Sequence, residues 1–486
     1  ATTSSRSWPA TSRPSRKHAL PDRCTRARVA SATMVPVHHY DELTDRMARA
    51  VFEYTQARLR LHPVPIDHSV PRDELEARAG NLLSAEGNDP IDVLRIFEDV
   101  LAPAVISCDS PRFLAFIPAA PTKASLLFDM VVSASSLQAI SWLEGAGAVY
   151  AENQVLRFIA DLAGLPEEAG GCFVAGGSAG NLSALVVARE TAKRRAATPP
   201  ARWRIAVSEQ THSSVANALR IMDVDPLVVA TDDERLTGAT LQAALDADGD
   251  PASVCAVVAT AGTTNAGIVD DLDGVGRVAA SFGIWFHVDA AYGGAALLAP
   301  SARPRFAGIE RADSLVVDPH KWLYAPFDCA ALIYRQPGLA RAVHTQNASY
   351  LDVIHERPSE WNPSDYAFHL TRRARGLPLW FSLAVHGSDA YRDAIEAVLT
   401  TAHAVAARIA ATPNLELVRE PELSIVIFRR KGWGPADYQR WSDDLLTAQT
   451  AFVTPSSWHG ETVARLAFLH PDTSLELVEE ILATMS

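Results

Sequence analysis

Apolar positions along this chain change period twice. From Tyr40 to Leu61 they recur at helical spacing, through Leu43, Met47, Ala50, Val51, Tyr54 and Leu59. His62-Pro63-Val64-Pro65 then stops that helix, because proline has no amide hydrogen and restricts the residue before it. A second helix is expected around Ile91 to Leu101, so the opening region reads as a helical arm with no sheet of its own. Between about Gly170 and Arg335 the pattern becomes short β-branched runs separated by helical segments. The expected strands are Gly171–Ala175, Ile205–Ser208, Leu227–Ala230, Val254–Ala259, Ile284–Val288, Ser314–Val317 and Ala330–Tyr334, with helices such as Asn181–Arg195 and Ser213–Ile221 in the gaps. Such alternation predicts an α/β fold: a mostly parallel sheet covered on both faces, with ligands beyond the carboxyl ends of its strands. After Arg335, residues 345–365 mix charges and prolines with Trp361 and tyrosines and read as a mobile segment. A helical region from Leu377 and a mixed strand and helix region from Leu415 to Ser486 close the chain.

Composition narrows the classes. A chain of 486 residues with 48% hydrophobic and 21% charged residues has ample material for a globular core. The formal net charge of −13 disfavours general attraction to nucleic acid or anionic membranes. No apolar run reaches the roughly 18 residues needed to span a bilayer. Five cysteines are scattered without a CxxC pair, which fits reduced thiols in the cytoplasm better than metal ligation or a disulfide framework. Residues 1–33 carry seven basic residues among serines, threonines and prolines, with Asp22 the sole acid. A transit peptide has similar composition, but this stretch lacks an apolar face; a disordered leader, or a reading frame extended upstream of Met34, is the expectation.

The chemistry concentrates in two segments about thirty residues apart. Phe286-His287-Val288-Asp289-Ala290-Ala291-Tyr292-Gly293-Gly294 and Asp318-Pro319-His320-Lys321-Trp322-Leu323 each follow an expected strand. Taken singly, a loop lysine is usually solvated and a strand-end aspartate usually caps a helix. Together they have a joint task. A carboxylate can pair with a protonated pyridine nitrogen, keeping the ring an electron sink, while a lysine from the next strand end condenses with the cofactor aldehyde. Ala175-Gly176-Gly177-Ser178-Ala179-Gly180-Asn181 leaves a strand and opens a helix. Such a turn is either a tight connection or a phosphate cradle at a helix N-terminus. His212, after the strand at Ile205, is either a satisfied polar residue beside a helix start or a site residue.

HVDAAYGG and PHKW, in this order and spacing, make the chain resemble the pyridoxal-phosphate (PLP)-dependent group II amino-acid decarboxylases, the family of aromatic-L-amino-acid decarboxylase. The resemblance runs from about Tyr40 to the C-terminus. It implies the dimeric fold type I of the aspartate-aminotransferase kind, with a helical arm (34–105), a large PLP-binding domain (106–376) and a small α+β domain (377–486). By the same resemblance Lys321 is the Schiff-base lysine, and Asp289 is the partner of the pyridine nitrogen. Gly177, Ser178 and Ala179 belong to the phosphate cradle, and His320 lies near phosphate and substrate. His212 stacks on the ring, steers the reacting bond and moves protons; Thr264 and Ala291 lie close to that ring. Tyr350, in the mobile loop, supplies the proton that replaces carbon dioxide. Relatives that make aldehydes carry phenylalanine there, so Tyr350 favours simple decarboxylation.

The match has departures. Asp318 stands where the aromatic-amino-acid enzymes often have asparagine, and its charge is unwelcome beside a phosphate unless it turns away to a basic group. Ala119 replaces the usual threonine of the substrate strip, and Cys108 stands near a position often held by tryptophan. Phe116, Ile117, Ile140 and Trp142 still offer an apolar wall, so an aromatic or large apolar side chain is expected and a dopa-like substrate is disfavoured. The expectation is a cytoplasmic homodimer, with its active site at the interface, that converts an L-amino acid into an amine and CO2. The rival readings are an aldehyde synthase, an aminotransferase or a carbon–carbon lyase on the same fold, and more remotely a non-catalytic dimeric scaffold.

Overall fold

A computed structural model describes residues 37–117, 120–356 and 360–486. The expectations for residues 1–33, Met34 and Ala119 fall outside that range. The chain begins with three helices, α1 (Glu42–Leu59), α2 (Arg72–Ala79) and α3 (Pro90–Ile96). Helix α1 starts where the Asp41 carboxylate accepts the Thr44 amide at 2.8 Å. It ends just before Pro63, as its periodicity predicts. None of the three buries a residue within this chain. Helices α4 (Lys123–Ala134) and α5 (Trp142–Leu162) follow and lead into the sheet.

All seven expected strands form, each within two residues of its expected ends: β1 (Gly170–Val174), β2 (Arg204–Ser208), β3 (Asp225–Val229), β4 (Val254–Thr260), β5 (Trp285–Asp289), β6 (Ser314–Val317) and β7 (Ala330–Tyr334). They make one sheet in the order β1-β7-β6-β5-β4-β2-β3. The β3/β2, β2/β4, β4/β5 and β5/β6 pairs are parallel, while β7 is antiparallel to both β6 and β1. Two antiparallel steps restore direction, so β1 points the same way as β6. The carboxyl ends of β1, β2, β4, β5 and β6 therefore share one edge.

Helices α6 (Gly177–Arg195), α7 (Ser213–Met222), α8 (Gly238–Ala247) and α9 (Leu272–Phe282) connect the strands, and α10 (Pro337–His344) follows β7. Because side chains alternate along a strand, Phe286 and Val288 join one core while Trp285 joins the other, under α6 and α7. Helix α6 lies close on the sheet at Gly180, where a Cβ would come within 2.8 Å of Val316. Helix α11 (Leu377–Ala410), interrupted at Gly387, packs on α4 and α5 and reaches the second sheet. That sheet is antiparallel, in the order β10-β11-β9-β8, from β8 (Leu415–Leu417), β9 (Ile425–Arg430), β10 (Ser456–Trp458) and β11 (Glu461–Ala467). Helices α12 (Pro435–Thr447) and α13 (Leu475–Ala483) complete the region. Among the described residues no helix is long and apolar enough to cross a membrane.

Candidate active site

The shared strand edge carries a cavity of about 330 Å³ lined by Gly177, Ser178, His212, Thr264, Asp289, Ala291, His320 and Lys321, all singled out from sequence. The eight come from five strand ends: Gly177 and Ser178 after β1, His212 after β2, Thr264 after β4, Asp289 and Ala291 at the end of β5, His320 and Lys321 after β6. The amine and the carboxylate thus face one space, as neighbouring strand ends require. Asp289 is buried, while Ser178, His212 and Thr264 lie on the exposed side of the cavity.

Lys321 is a charged amine here. Burial alone would lower its pKa, but the Asp318 and Asp289 carboxylates outweigh that and leave it raised. Its Nζ lies 3.0 Å from Asp318 Oδ2. The same oxygen accepts the Gly177 amide at 3.2 Å, at the otherwise uncapped start of α6. Asp318 therefore does not turn away from the cradle: it sits in it, with its other oxygen buried and without a hydrogen-bond partner. His320 is buried, its Nδ1 against the backbone of Cys329 and its ring 4.9 Å from that of Phe327; burial lowers its pKa.

The residue set fits PLP on three observations. An amine and a buried carboxylate line one cavity. The first helical turn at its edge has no cap from its own N-cap residue, only the Asp318 carboxylate on its first amide. A Cβ on Gly177 would come within 3.0 Å of the Asp318 carboxylate, so glycine keeps the turn uncrowded at that point. Asp318 is the one feature that has to rearrange or take up a proton before a phosphate could share its place.

Sequence reasoning passed over Asn181, Phe327 and Ser214, which also line the cavity. Asn181 donates to Asp289 Oδ2 at 2.8 Å and to Ser214 Oγ at 3.1 Å. An asparagine on the helix face that also carries Ala184, Leu185 and Ala188 was the available signal. Ala179 of the expected phosphate cradle, the four expected substrate residues and Tyr350 do not line this cavity. Phe116 is 60% exposed and packs against Phe113 and Phe452. Its carbonyl and that of Thr264 both accept from the buried Arg465, at 2.9 and 2.6 Å, so the strip holding Phe116 and Ile117 is tied to the cavity rim. Ile140 and Trp142 instead abut the 345–365 segment: the Ile140 carbonyl accepts from Ser364, and the Trp142 amide donates to Asn362. Tyr350 is 71% exposed.

A parallel-type sheet whose strand ends gather a lysine, an aspartate, a histidine and a helix N-terminus defines the class, a PLP-dependent enzyme of fold type I. Comparison with known proteins agrees. Residues 77–431 match the family described as "Pyridoxal-dependent decarboxylase conserved domain". The chain is 30% identical over 372 residues to an aromatic-L-amino-acid decarboxylase of Bacillus atrophaeus, across 75% of this chain and 77% of that protein. It is 31% identical over 356 residues to the phenylacetaldehyde synthase of Arabidopsis thaliana, across 69% and 72%. The crystal structure of Oryza sativa TDC with PLP and tryptamine superposes with a TM-score of 0.84 at 25% identity, over 92% of this chain and 98% of that one. The chain belongs to the PLP-dependent group II amino-acid decarboxylase family.

Proposed function

We propose that this protein decarboxylates an L-amino acid with an aromatic or large apolar side chain, taking up one proton and releasing CO2 and the amine. The observation that carries the reading is that Lys321 and Asp289 line a single cavity together with His212 and the start of α6. Lys321 holds the cofactor covalently through its amine once the Asp318 pairing is broken. Asp289 stabilises a proton on the ring nitrogen, and Gly177, Ser178 and Ala179 receive the phosphate. His212 covers the ring face, Thr264, Ala291 and His320 border it, and bound PLP supplies the electron sink into which the bond to the carboxylate empties. Catalysis then rests on orienting that bond rather than on an acid or base at the carboxylate. Aromatic substrates are supported by the family relatives and by Phe116, Ile117, Ile140 and Trp142, an apolar set that one chain leaves outside its own cavity.

The same set supports a homodimer with the site at the interface. Helices α1 to α3 bury nothing within the chain, and Phe52, Phe97, Phe116, Tyr150 and Tyr350 are exposed. A second copy that covers them would bring Tyr350 and the apolar strip to a neighbouring cavity.

The phenylacetaldehyde synthase likeness is a specific reason to keep aldehyde formation as the second reading; Tyr350 favours the amine. The deciding experiment incubates the PLP-loaded enzyme with the common amino acids and hydroxylated aromatics, measuring CO2, amine, aldehyde and ammonia. Amine with equimolar CO2 is expected; aldehyde with ammonia would select the second reading. Lys321→Ala should lose the covalent link and nearly all turnover, whichever product forms.

A further inference from the structure

Behind the cavity wall a run of polar side chains crosses the otherwise apolar layer between α6 and the sheet. Trp285, His287 and Asp289 alternate on β5 and so share the face that α6 covers. Trp285 Nε1 donates to Ser314 Oγ at 2.8 Å. Ser314 Oγ lies 2.8 Å from His287 Nδ1, and His287 Nε2 lies 2.9 Å from Asn181 Oδ1. Asn181 Nδ2 reaches Asp289 Oδ2 and Ser214 Oγ. Ser214 Oγ lies 2.9 Å from His212 Nδ1, which also accepts the Ser214 amide at 3.2 Å.

The directions follow from what each atom can do. The Asn181 amide must turn its NH2 to Asp289, because the opposite orientation would set its carbonyl against a carboxylate. Both of its hydrogens are then used, leaving Oδ1 only as an acceptor, so His287 carries its proton on Nε2. His287 Nδ1 must accept from the Ser314 hydroxyl, whose oxygen in turn accepts the indole N–H. On the other branch, His212 Nδ1 accepts a backbone amide and the Ser214 hydroxyl, so its proton is on Nε2 as well. Every polar atom of Asn181 is used, and His287 is buried and unable to hold a second proton: burial depresses its pKa, against the opposing pull of Asp289.

We infer that Asn181 is a positioning residue that holds the Asp289 carboxylate and the His212 ring in register, backed by a neutral His287. The inference rests on the proposed pairing of Asp289 with the cofactor ring nitrogen. Asp289 receives neutral donors, the Asn181 amide on one oxygen and the Ala291 backbone at 3.1 Å on the other. No acid in the buried run can neutralise it. Both oxygens of the carboxylate are thereby fixed in place facing the cavity, and His212 presents an N–H, not a lone pair, at its free edge.

The test pairs two nearly isosteric exchanges with a second series. Asn181→Asp places a like charge beside Asp289; Asn181→Leu removes the donors without adding charge. His287→Gln keeps a donor toward Asn181, and His287→Leu removes it. Two quantities are read: the PLP dissociation constant of each apoenzyme, and the ¹⁵N shift of the ring nitrogen after loading with labelled PLP. Losing a hydrogen bond to a buried carboxylate should weaken PLP binding about ten- to hundred-fold. Asn181→Leu should also move the nitrogen signal towards the unprotonated position, whereas the added anion of Asn181→Asp should leave it protonated; His287→Gln should stay near wild type while His287→Leu does not. Equal behaviour of the two His287 variants, or an unmoved nitrogen signal in Asn181→Leu, would overturn the inference. Asp289→Asn separates the layers: if it too leaves the nitrogen signal unmoved, the Asp289 pairing itself fails; if it alone moves the signal, only the role of Asn181 does.

Discussion

Asp318 shows how one side chain can set the terms on which a cofactor enters. Its carboxylate bonds the first amide of α6 and the Lys321 ammonium at once, the two groups to which the proposed site assigns the phosphate and the aldehyde of PLP. The groups facing it are Lys321, His320 at 3.7 Å and the α6 amide, with Asp289 acting through Lys321. A raised lysine pKa keeps the amine protonated to higher pH, and only the free amine attacks an aldehyde. Asp318→Asn removes the main stabiliser of that ammonium and the charge nearest the phosphate position. The pH at which apoenzyme captures PLP half-maximally should therefore move down, with tighter binding at neutral pH. Absorbance titrations of apoenzyme with PLP across pH check this; an upward shift would contradict it. The same residue marks the limit of motif reading. PHKW named Lys321 and its task, but whether the preceding aspartate turned inward or outward depended on the position of α6, which comes from a segment far away in the chain.

At the scale of elements, strands and helices were legible because burial imposes a period on the sequence. Residues such as Val254–Ala259, apolar at every position, announce a strand covered on both faces. Segment 345–365 was harder, since its order comes from contacts with distant elements. Trp361 stacks on Tyr366 and donates to the Gly171 carbonyl at 3.0 Å, while buried Asp365 accepts from Thr345 at 3.0 Å. Asn362 accepts from Trp142 and donates to the Ile354 carbonyl. The C-terminal side of the segment is thus fastened to β1 and α5, and Thr345 and Ile354 are tied to that side, with Tyr350 exposed between them. In the homodimer proposed above, a tyrosine so placed would be the proton donor. Tyr350→Phe should cut amine formation about a hundred-fold and divert product to aldehyde, measured by product chromatography. An unchanged amine yield would remove the role from Tyr350.

At the scale of the whole molecule, two consequences follow from what is buried and what is not. The unburied faces of α1 to α3 predict that the chain sediments at twice its own mass at micromolar concentration, and that Phe52→Glu with Phe97→Glu lowers the dimer fraction and the activity together. Sedimentation velocity reads the first and turnover the second. Inside, Glu152 is fully enclosed between α5 and the 372–376 turn, accepting the Gly376 amide at 2.8 Å. Burial raises its pKa from 4.5 to about 7, against the lowering effects of that amide, Arg372 and Arg375. A raised carboxyl pKa favours the fold most below pH 4.5, and that contribution is lost as pH rises through about 7. Asp270, raised from 3.8 to about 7 chiefly by burial, acts with the same sign. Glu152→Gln keeps the hydrogen bond and removes the ionisation. Its melting temperature should therefore fall less than that of the wild type between about pH 5 and 8, as read by calorimetry of apoenzyme.

The α/β class, the seven strands of the large sheet and the family motifs were legible from local pattern alone, because periodicity and turn chemistry are written in neighbouring residues. Only the tertiary structure decided that Asp318 lies in the cradle, that Asn181 joins Asp289 to His212, and that Phe116, Ile140, Trp142 and Tyr350 lie outside their own chain's cavity. These depend on how α6 settles on β5 and β6 and on which apolar faces one copy leaves uncovered. Distances between residues far apart in the chain are set by packing, and no local pattern encodes them.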